Sequence, residues 1–110
     1  MSVSKDRLVS NIKRHISEII QYDLNDKDVG HVTVTDVEVT RDLSYATVFV
    51  TFFDERGVPT ERVDILNRAK GFIRTQLSQR ISTYKTPDII FKYDKSLNRG
   101  ERIDEILDNM

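Results

Sequence analysis

The sequence predicts an α+β fold in which helices cover one face of a small sheet. Apolar residues recur at helical spacing in residues 5–22 and 60–81. They alternate with polar residues in 32–39, 45–53 and 89–93, as in half-buried strands. The element order is therefore helix, strand, strand, helix, helix, strand, which favours a two-layer sandwich. With 110 residues, the chain is long enough for one core, and we expect residues 1–110 to form a single domain.

The first helix is expected from a cap at Ser4 to about Tyr22, and turn-forming residues 25–30 end it. The strand that follows, 31–39, alternates between apolar and polar residues, but the alternation slips at Thr35 and Asp36. A slip of one residue turns every later side chain to the other face of the sheet. We therefore predict a β-bulge at this point.

Residues 41–44 form a short connection, so the second strand, Tyr45 to Phe53, should pair antiparallel with the first. Its aromatic side chains are expected to fill the core rather than to stack on RNA bases. The third strand follows Pro87, and we expect it to pair beside the first strand. Because Ile90 is apolar on the otherwise polar side of this strand, we expect both faces of the strand to be partly covered. For residues 95–110 two alternatives stay open, a short docked C-terminal helix or a flexible tail.

Residues 60–85 are expected to form two short helices that meet at Ala69-Lys70-Gly71, after an N-cap at Thr60. We call Ala69-Lys70-Gly71 the joint. Gly71 costs roughly 1 kcal/mol against alanine inside a helix, so it marks a bend or the close approach of another backbone. It could equally be a glycine that packs. The buried stripe should contain Val63, Leu66, Ile73, Leu77 and Ile81.

The same segment concentrates positive charge. Residues 60–85 contain six basic and two acidic side chains, a net charge of +4, whereas the formal charge of the whole chain is −1. Such a local excess is typical of phosphate binding, although exposed lysines and arginines are equally often plain surface. The basic residues are Arg62, Arg68, Lys70, Arg74, Arg80 and Lys85, with Lys5, Lys13 and Arg14 of the first helix as outlying candidates.

Other function classes find little support. The absence of cysteine excludes disulfides, thiol nucleophiles and Cys-ligated metals. No phosphate loop, catalytic serine motif, zinc motif or calcium loop occurs, so we expect neither an enzyme nor a bound metal or cofactor. No apolar run has the length of a signal peptide core or a membrane span, so we expect a cytoplasmic protein without membrane contact.

Several stretches, in this order and spacing, resemble the bacterial ribosome-binding factor A family. They are residues 32–39, Asp42-Leu43 with Tyr45-Ala46, the joint segment 66–74, Thr86-Pro87-Asp88-Ile89 and residues 91–96. The resemblance covers about residues 5 to 107. It departs from many relatives in residues 81–85, which are less basic than the Arg-rich segment found there.

The resemblance implies a type II KH-like fold in which Ala69-Lys70-Gly71 replaces the usual GXXG joint. It also implies a non-enzymatic assembly factor that binds the immature small ribosomal subunit. Such a factor supports maturation of the 5′ end of the subunit's rRNA, has a role in cold adaptation, and leaves with help from an assembly GTPase. A monomer is expected. RNA contact would fall to Arg68, Ala69, Lys70, Gly71, Arg74 and Arg80, of which only the joint matches a family motif. The alternative is a protein interaction module without nucleic-acid contact, which salt dependence of binding would distinguish.

Overall fold

The residues that the structure describes form three helices and a three-stranded sheet, in the predicted order. The computed structural model describes residues 2–24, 29–52, 58–81 and 85–95. Helix α1, Ser2–Glu18, continues into a π-helical segment, Ile19–Leu24. The remaining elements are β1 (Thr33–Val39), β2 (Tyr45–Thr51), α2 (Pro59–Arg68), α3 (Lys70–Ser78) and β3 (Asp88–Tyr93). The predicted α+β class is confirmed, whereas the alternatives for the C-terminal tail lie outside the described residues.

The pairing of β1 with β2 follows the sequence pattern. The two strands are antiparallel, and the register shifts between Val34 and Asp36. This confirms the predicted bulge, which returns both Val34 and Val37 to the buried face. The hairpin is closed by Thr40, whose amide donates to the Tyr45 carbonyl at 2.9 Å and whose carbonyl accepts from the Leu43 amide at 3.0 Å.

The predicted place of the third strand was wrong. The sheet order is β1-β2-β3, and β3 pairs parallel with β2, with Ala46 opposite Ile89 and Val48 opposite Phe91. A parallel pair needs a long crossover connection, and α2 with α3 supplies one. Strand β3 is therefore an edge of the sheet.

The core lies between the helices and one face of the sheet. From α1 and its π-helical extension come Ile12, Ile16 and Ile19, and from the jointed helices come Leu66, Ile73 and Leu77. They meet alternate residues of the strands, among them Val37, Val48 and Phe91. We call the opposite face of the sheet the open face, because no described helix covers it.

Both predicted helix caps were wrong. Helix α1 already begins at Ser2, and α2 begins at Pro59 with Val58 at the N-cap and no side-chain cap bond. Proline suits the first helical position because its φ is already helical and its missing N–H would have no partner there. The Arg62 amide donates to the Val58 carbonyl at 3.1 Å and closes this first turn.

Candidate nucleic-acid interface

The joint between α2 and α3 is a break of a single residue. Ala69, with φ −93° and ψ 4°, ends α2 and precedes α3. Its amide still bonds to the carbonyls of Ile65 and Leu66, at 3.2 and 3.0 Å, and its carbonyl accepts from the Ile73 amide at 3.0 Å. The predicted joint is confirmed, but the residue at the break is Ala69 and Gly71 belongs to the first turn of α3.

Gly71 leaves open space at the surface. A Cβ atom built on this residue would meet no described atom within 4 Å, outside its own helical backbone and chain neighbours. The Gly71 carbonyl accepts a bond from the Thr75 hydroxyl at 3.0 Å. Packing therefore does not explain this glycine, since an alanine methyl group would fit there. What the glycine provides is access to the backbone of the first helical turn.

Two exposed cations flank Ala69. Arg68 makes one contact with the described residues, a long bond from Nε to the Asp64 carbonyl at 3.5 Å. Lys70 is exposed, and within the described part of the chain it makes no hydrogen bond or ion pair. Both charges are therefore available to an anion at the joint.

Arg74 is exposed but already has a carboxylate partner. Its Nε lies 3.2 Å from Oδ1 of Asp88, and its Nη2 donates to the Thr86 carbonyl at 2.8 Å. These contacts link α3 to the start of β3. The guanidinium remains close to the joint, with part of its charge compensated by Asp88.

Arg80 lies apart from the joint, beyond the end of α3. It pairs with Glu18 at 3.3 Å and with Asp23 at 2.9 Å. It therefore joins α3 to the end of α1 and to the π-helical segment. Of the arginines proposed from charge, this one has a structural role that accounts for its position.

Arg62 is buried, although it is one of the six basic residues that give residues 60–85 their positive charge. Only 3% of it is exposed, and its Nε and Nη2 both donate to the Val29 carbonyl, at 2.9 and 2.6 Å. Its guanidinium lies 4.0 Å from the centre of the Phe52 ring. Arg62 precedes the core residue Leu66 by one helical turn, and this spacing could have revealed its burial.

The outlying candidates in α1 lie on different sides of the helix. Glu18 faces α3, as its ion pair with Arg80 shows, and Arg14 lies one turn before it. Lys13 precedes Glu18 by five residues, which places it roughly 140° around the helix. Both are exposed, whereas Lys5 lies in a first turn whose side chains are outside the described set.

A cleft of about 420 Å³ lies between the joint and the edge of β3. Tyr45 lines it and is 59% exposed, so the expectation of core packing was wrong for this aromatic residue. Ile90, also in the lining, is 41% exposed and faces solvent instead of a second layer. The other lining residues are Lys70, Gly71, Arg74, Asp88 and Ile89.

Asn67 has a role that the sequence did not indicate. Its Nδ2 donates to the Phe91 carbonyl at 3.1 Å, and its Oδ1 accepts from the Phe91 amide at 2.8 Å. The side-chain amide thus satisfies the outer edge of β3 as a neighbouring strand would. It also fixes the end of α2, and with it the joint, against the sheet.

No group of three His, Asp or Glu side chains in the described part of the chain is arranged to hold a metal ion. No helix within the described ranges is both long and apolar enough to cross a membrane.

Known proteins of one family are similar to this chain in sequence and in fold. The family model described as ribosome-binding factor A matches residues 4–107. Relatives of that name from Desulforamulus reducens and Macrococcus caseolyticus are 39% and 40% identical over 107 residues. The alignments cover 97% of this chain in both cases, and 89% and 94% of the relatives.

Structures of ribosome-binding factor A proteins have a fold similar to that of this chain. The crystal structure of ribosome-binding factor A from Thermus thermophilus superposes with a TM-score of 0.72 at 28% identity, covering 81% of this chain and 94% of that one. A homology model of the Thermus thermophilus protein, fitted into a cryo-EM map of its 30S complex, gives 0.67 at 27% identity, with 81% and 93% covered. The chain therefore belongs to the ribosome-binding factor A family.

Proposed function

We propose that this protein is an assembly factor that binds the immature small ribosomal subunit and contacts its rRNA through the joint. Membership of the family supports a ribosome-binding role, and a relative has been fitted into the map of a 30S complex. The observation that carries the proposed contact is the open backbone at Gly71, which lines the cleft beside the exposed side chain of Lys70.

The chemistry at the joint suits a phosphodiester backbone. The amides of the first turn of α3 lie at the start of a helix, where the helix dipole places partial positive charge. Because Gly71 has no side chain, a phosphate group can approach these amides closely. Arg68 and Lys70 would neutralise phosphate charge and release bound counterions, which favours binding.

Charge also limits how the protein binds. The formal net charge is −1, so the molecule as a whole is not attracted to RNA. Binding therefore depends on presenting the joint and keeping acidic surfaces away from phosphate. The protein would act by occupying and shaping the rRNA, and we expect the resulting support of 5′ end maturation, the role in the cold and the release by a GTPase to follow from that contact.

The test is the salt dependence of binding to purified immature small subunits. Lys70→Ala should weaken binding by about tenfold at low salt and reduce the slope of log affinity against log salt by roughly 0.7 to 0.9, the value for one phosphate contact. The matched control is Lys95→Ala, which removes an exposed lysine beyond the end of β3 that has no polar partner among the described residues. It should change neither quantity. Equal effects of the two substitutions would contradict a phosphate contact at the joint.

Sedimentation of a cell extract separates the assembly role from the alternative of a protein interaction module. An assembly factor should travel with free small subunits and be absent from full ribosomes. Cells that carry only the Lys70→Ala form should accumulate small-subunit rRNA with an unprocessed 5′ end. If the protein sediments alone and rRNA processing is normal, the proposed function is wrong.

A further inference from the structure

The open face of the sheet differs in chemistry from the joint. Residues that alternate with the buried ones point away from the helices, because successive side chains of a strand alternate between faces. On this face β1 presents Asp36 and Glu38, both exposed. Neither makes an ion pair within the described part of the chain. Strand β3 adds Asp88, which pairs with Arg74, and Lys92, so the unpaired negative charge of the open face lies at its β1 edge.

Apolar side chains lie beside these acids. In the register of the sheet, Glu38 is opposite Thr47, which in turn is opposite Ile90. Tyr45 is two residues from Thr47 on the same face, so it is a diagonal neighbour of Ile90. Tyr45 and Ile90 are among the most exposed large apolar side chains of the described residues. An acidic rim next to exposed apolar groups is typical of a protein-binding surface.

We propose that the open face docks a lysine- and arginine-rich segment of a protein of the small subunit. This inference rests on the proposed function, since it assumes that the subunit is the partner. The charge decides the occupant. Phosphate would be repelled by Asp36 and Glu38, whereas cationic side chains would be attracted and their aliphatic stems would cover Ile90 and Tyr45.

The protein's own chain is a poor occupant of this face. Residues 96–110 contain four acids and two arginines, so their net charge has the same sign as the open face. A second copy docking open face to open face would bring the same carboxylates together. Tyr45 and Ile90 also line the cleft at the joint, so a basic segment on this face would lie beside the rRNA held there. The factor would then bridge protein and RNA of the subunit.

Site-specific photocrosslinking tests the proposal with the full chain. A benzophenone amino acid replaces Glu38 in one variant and Lys70 in another, and each is irradiated with purified immature small subunits. Position 38 should crosslink to a subunit protein within a Lys/Arg-rich stretch, identified by mass spectrometry, and position 70 should crosslink to rRNA. A position 38 adduct with rRNA, with another copy of the chain, with its own residues or with a stretch that is not basic would overturn the proposal, as would the absence of an adduct. Loss of the position 70 adduct alone would instead count against the rRNA contact at the joint.

Charge reversal gives an independent measure. Glu38→Lys and Glu61→Lys change the net charge equally, but Glu61 lies in the first turn of α2, on the helical layer. If the open face meets a basic segment, Glu38→Lys should weaken subunit binding by about fivefold. Glu61→Lys should leave binding unchanged or strengthen it, because it adds positive charge on the rRNA side. Stronger binding by both variants would mean that the open face meets RNA, and no change with Glu38→Lys would mean that it meets nothing. Equal thermal unfolding of both variants controls for damage to the fold.

Discussion

Gly71→Ala separates the stability of the joint from its function. A Cβ atom at this position meets no described atom within 4 Å, so the substitution causes no clash. Alanine is favoured over glycine in helices by up to about 1 kcal/mol, and less in a first turn, so we expect a gain of about 0.5 kcal/mol. For a domain of this size that corresponds to a rise in Tm of about 2 °C. The same methyl group would hold a phosphate away from the first amides of α3, and a loss of about 1.4 kcal/mol would weaken subunit binding about tenfold.

The assays are denaturant unfolding and binding to purified immature subunits, and the expected changes have opposite signs. Ser10→Ala serves as the control, since it places alanine at an exposed position of α1 far from the joint in sequence. It should raise stability slightly without altering binding. Lower stability of Gly71→Ala would show that the glycine packs after all. Unchanged binding would show that no ligand approaches the backbone at Gly71, and the proposed contact would then be wrong.

The remaining predictions concern residues outside the proposed contact. Arg62→Ala should destabilise the fold by about 2–4 kcal/mol in denaturant unfolding, because it leaves a buried carbonyl unbonded and a cavity; a loss under about 1 kcal/mol would contradict this. Asn67→Ala should cost about 1–3 kcal/mol and promote aggregation seen by light scattering, because it frees the edge of β3. Arg80→Ala should cost at most about 1 kcal/mol, as for other exposed ion pairs, and leave the salt slope of subunit binding unchanged. Hydrogen bonds from the Ser44 hydroxyl, then from the Ser44 amide and the Thr40 hydroxyl, lower the pKa of Asp42. The ionised carboxylate therefore stabilises the hairpin at pH values above the unfolded pKa, and this stabilisation is lost as the pH falls through the folded pKa. In an NMR titration, Ser44→Ala should raise the pKa of Asp42.

Patterns within one element were predicted well. The period of the apolar residues identified the helical stripe through Leu66 and Ile73, and the slip at Thr35 identified the bulge. These features depend on which face of a single helix or strand is buried, and that is written directly in the spacing of its residues. The joint was predictable for the same reason, because it interrupts the apolar stripe that runs through Leu66 and Ile73.

Contacts between distant elements were not predictable in the same way. Nothing in the local sequence distinguishes Arg62, Arg74 and Arg80 as basic residues of one segment. The fold nevertheless buries Arg62 and places carboxylates beside Arg74 and Arg80. Asp88 and Glu18 lie 14 and 62 residues from their arginine partners, and no local pattern links them. The exposure of Tyr45 likewise follows from its place on a face that no described helix covers.

The sequence by itself determined the class of fold, the position of the joint and, through its resemblance, the family. Tertiary structure decided which strand neighbours β3 and which cations remain available, with Lys70 exposed and without a partner among the described residues, and Arg80 engaged. The physical reason is how far apart in the sequence the interacting residues lie. Burial periodicity is set by the geometry of one element, whereas strand order and ion pairing depend on how separate elements pack, and only the folded chain brings those residues together.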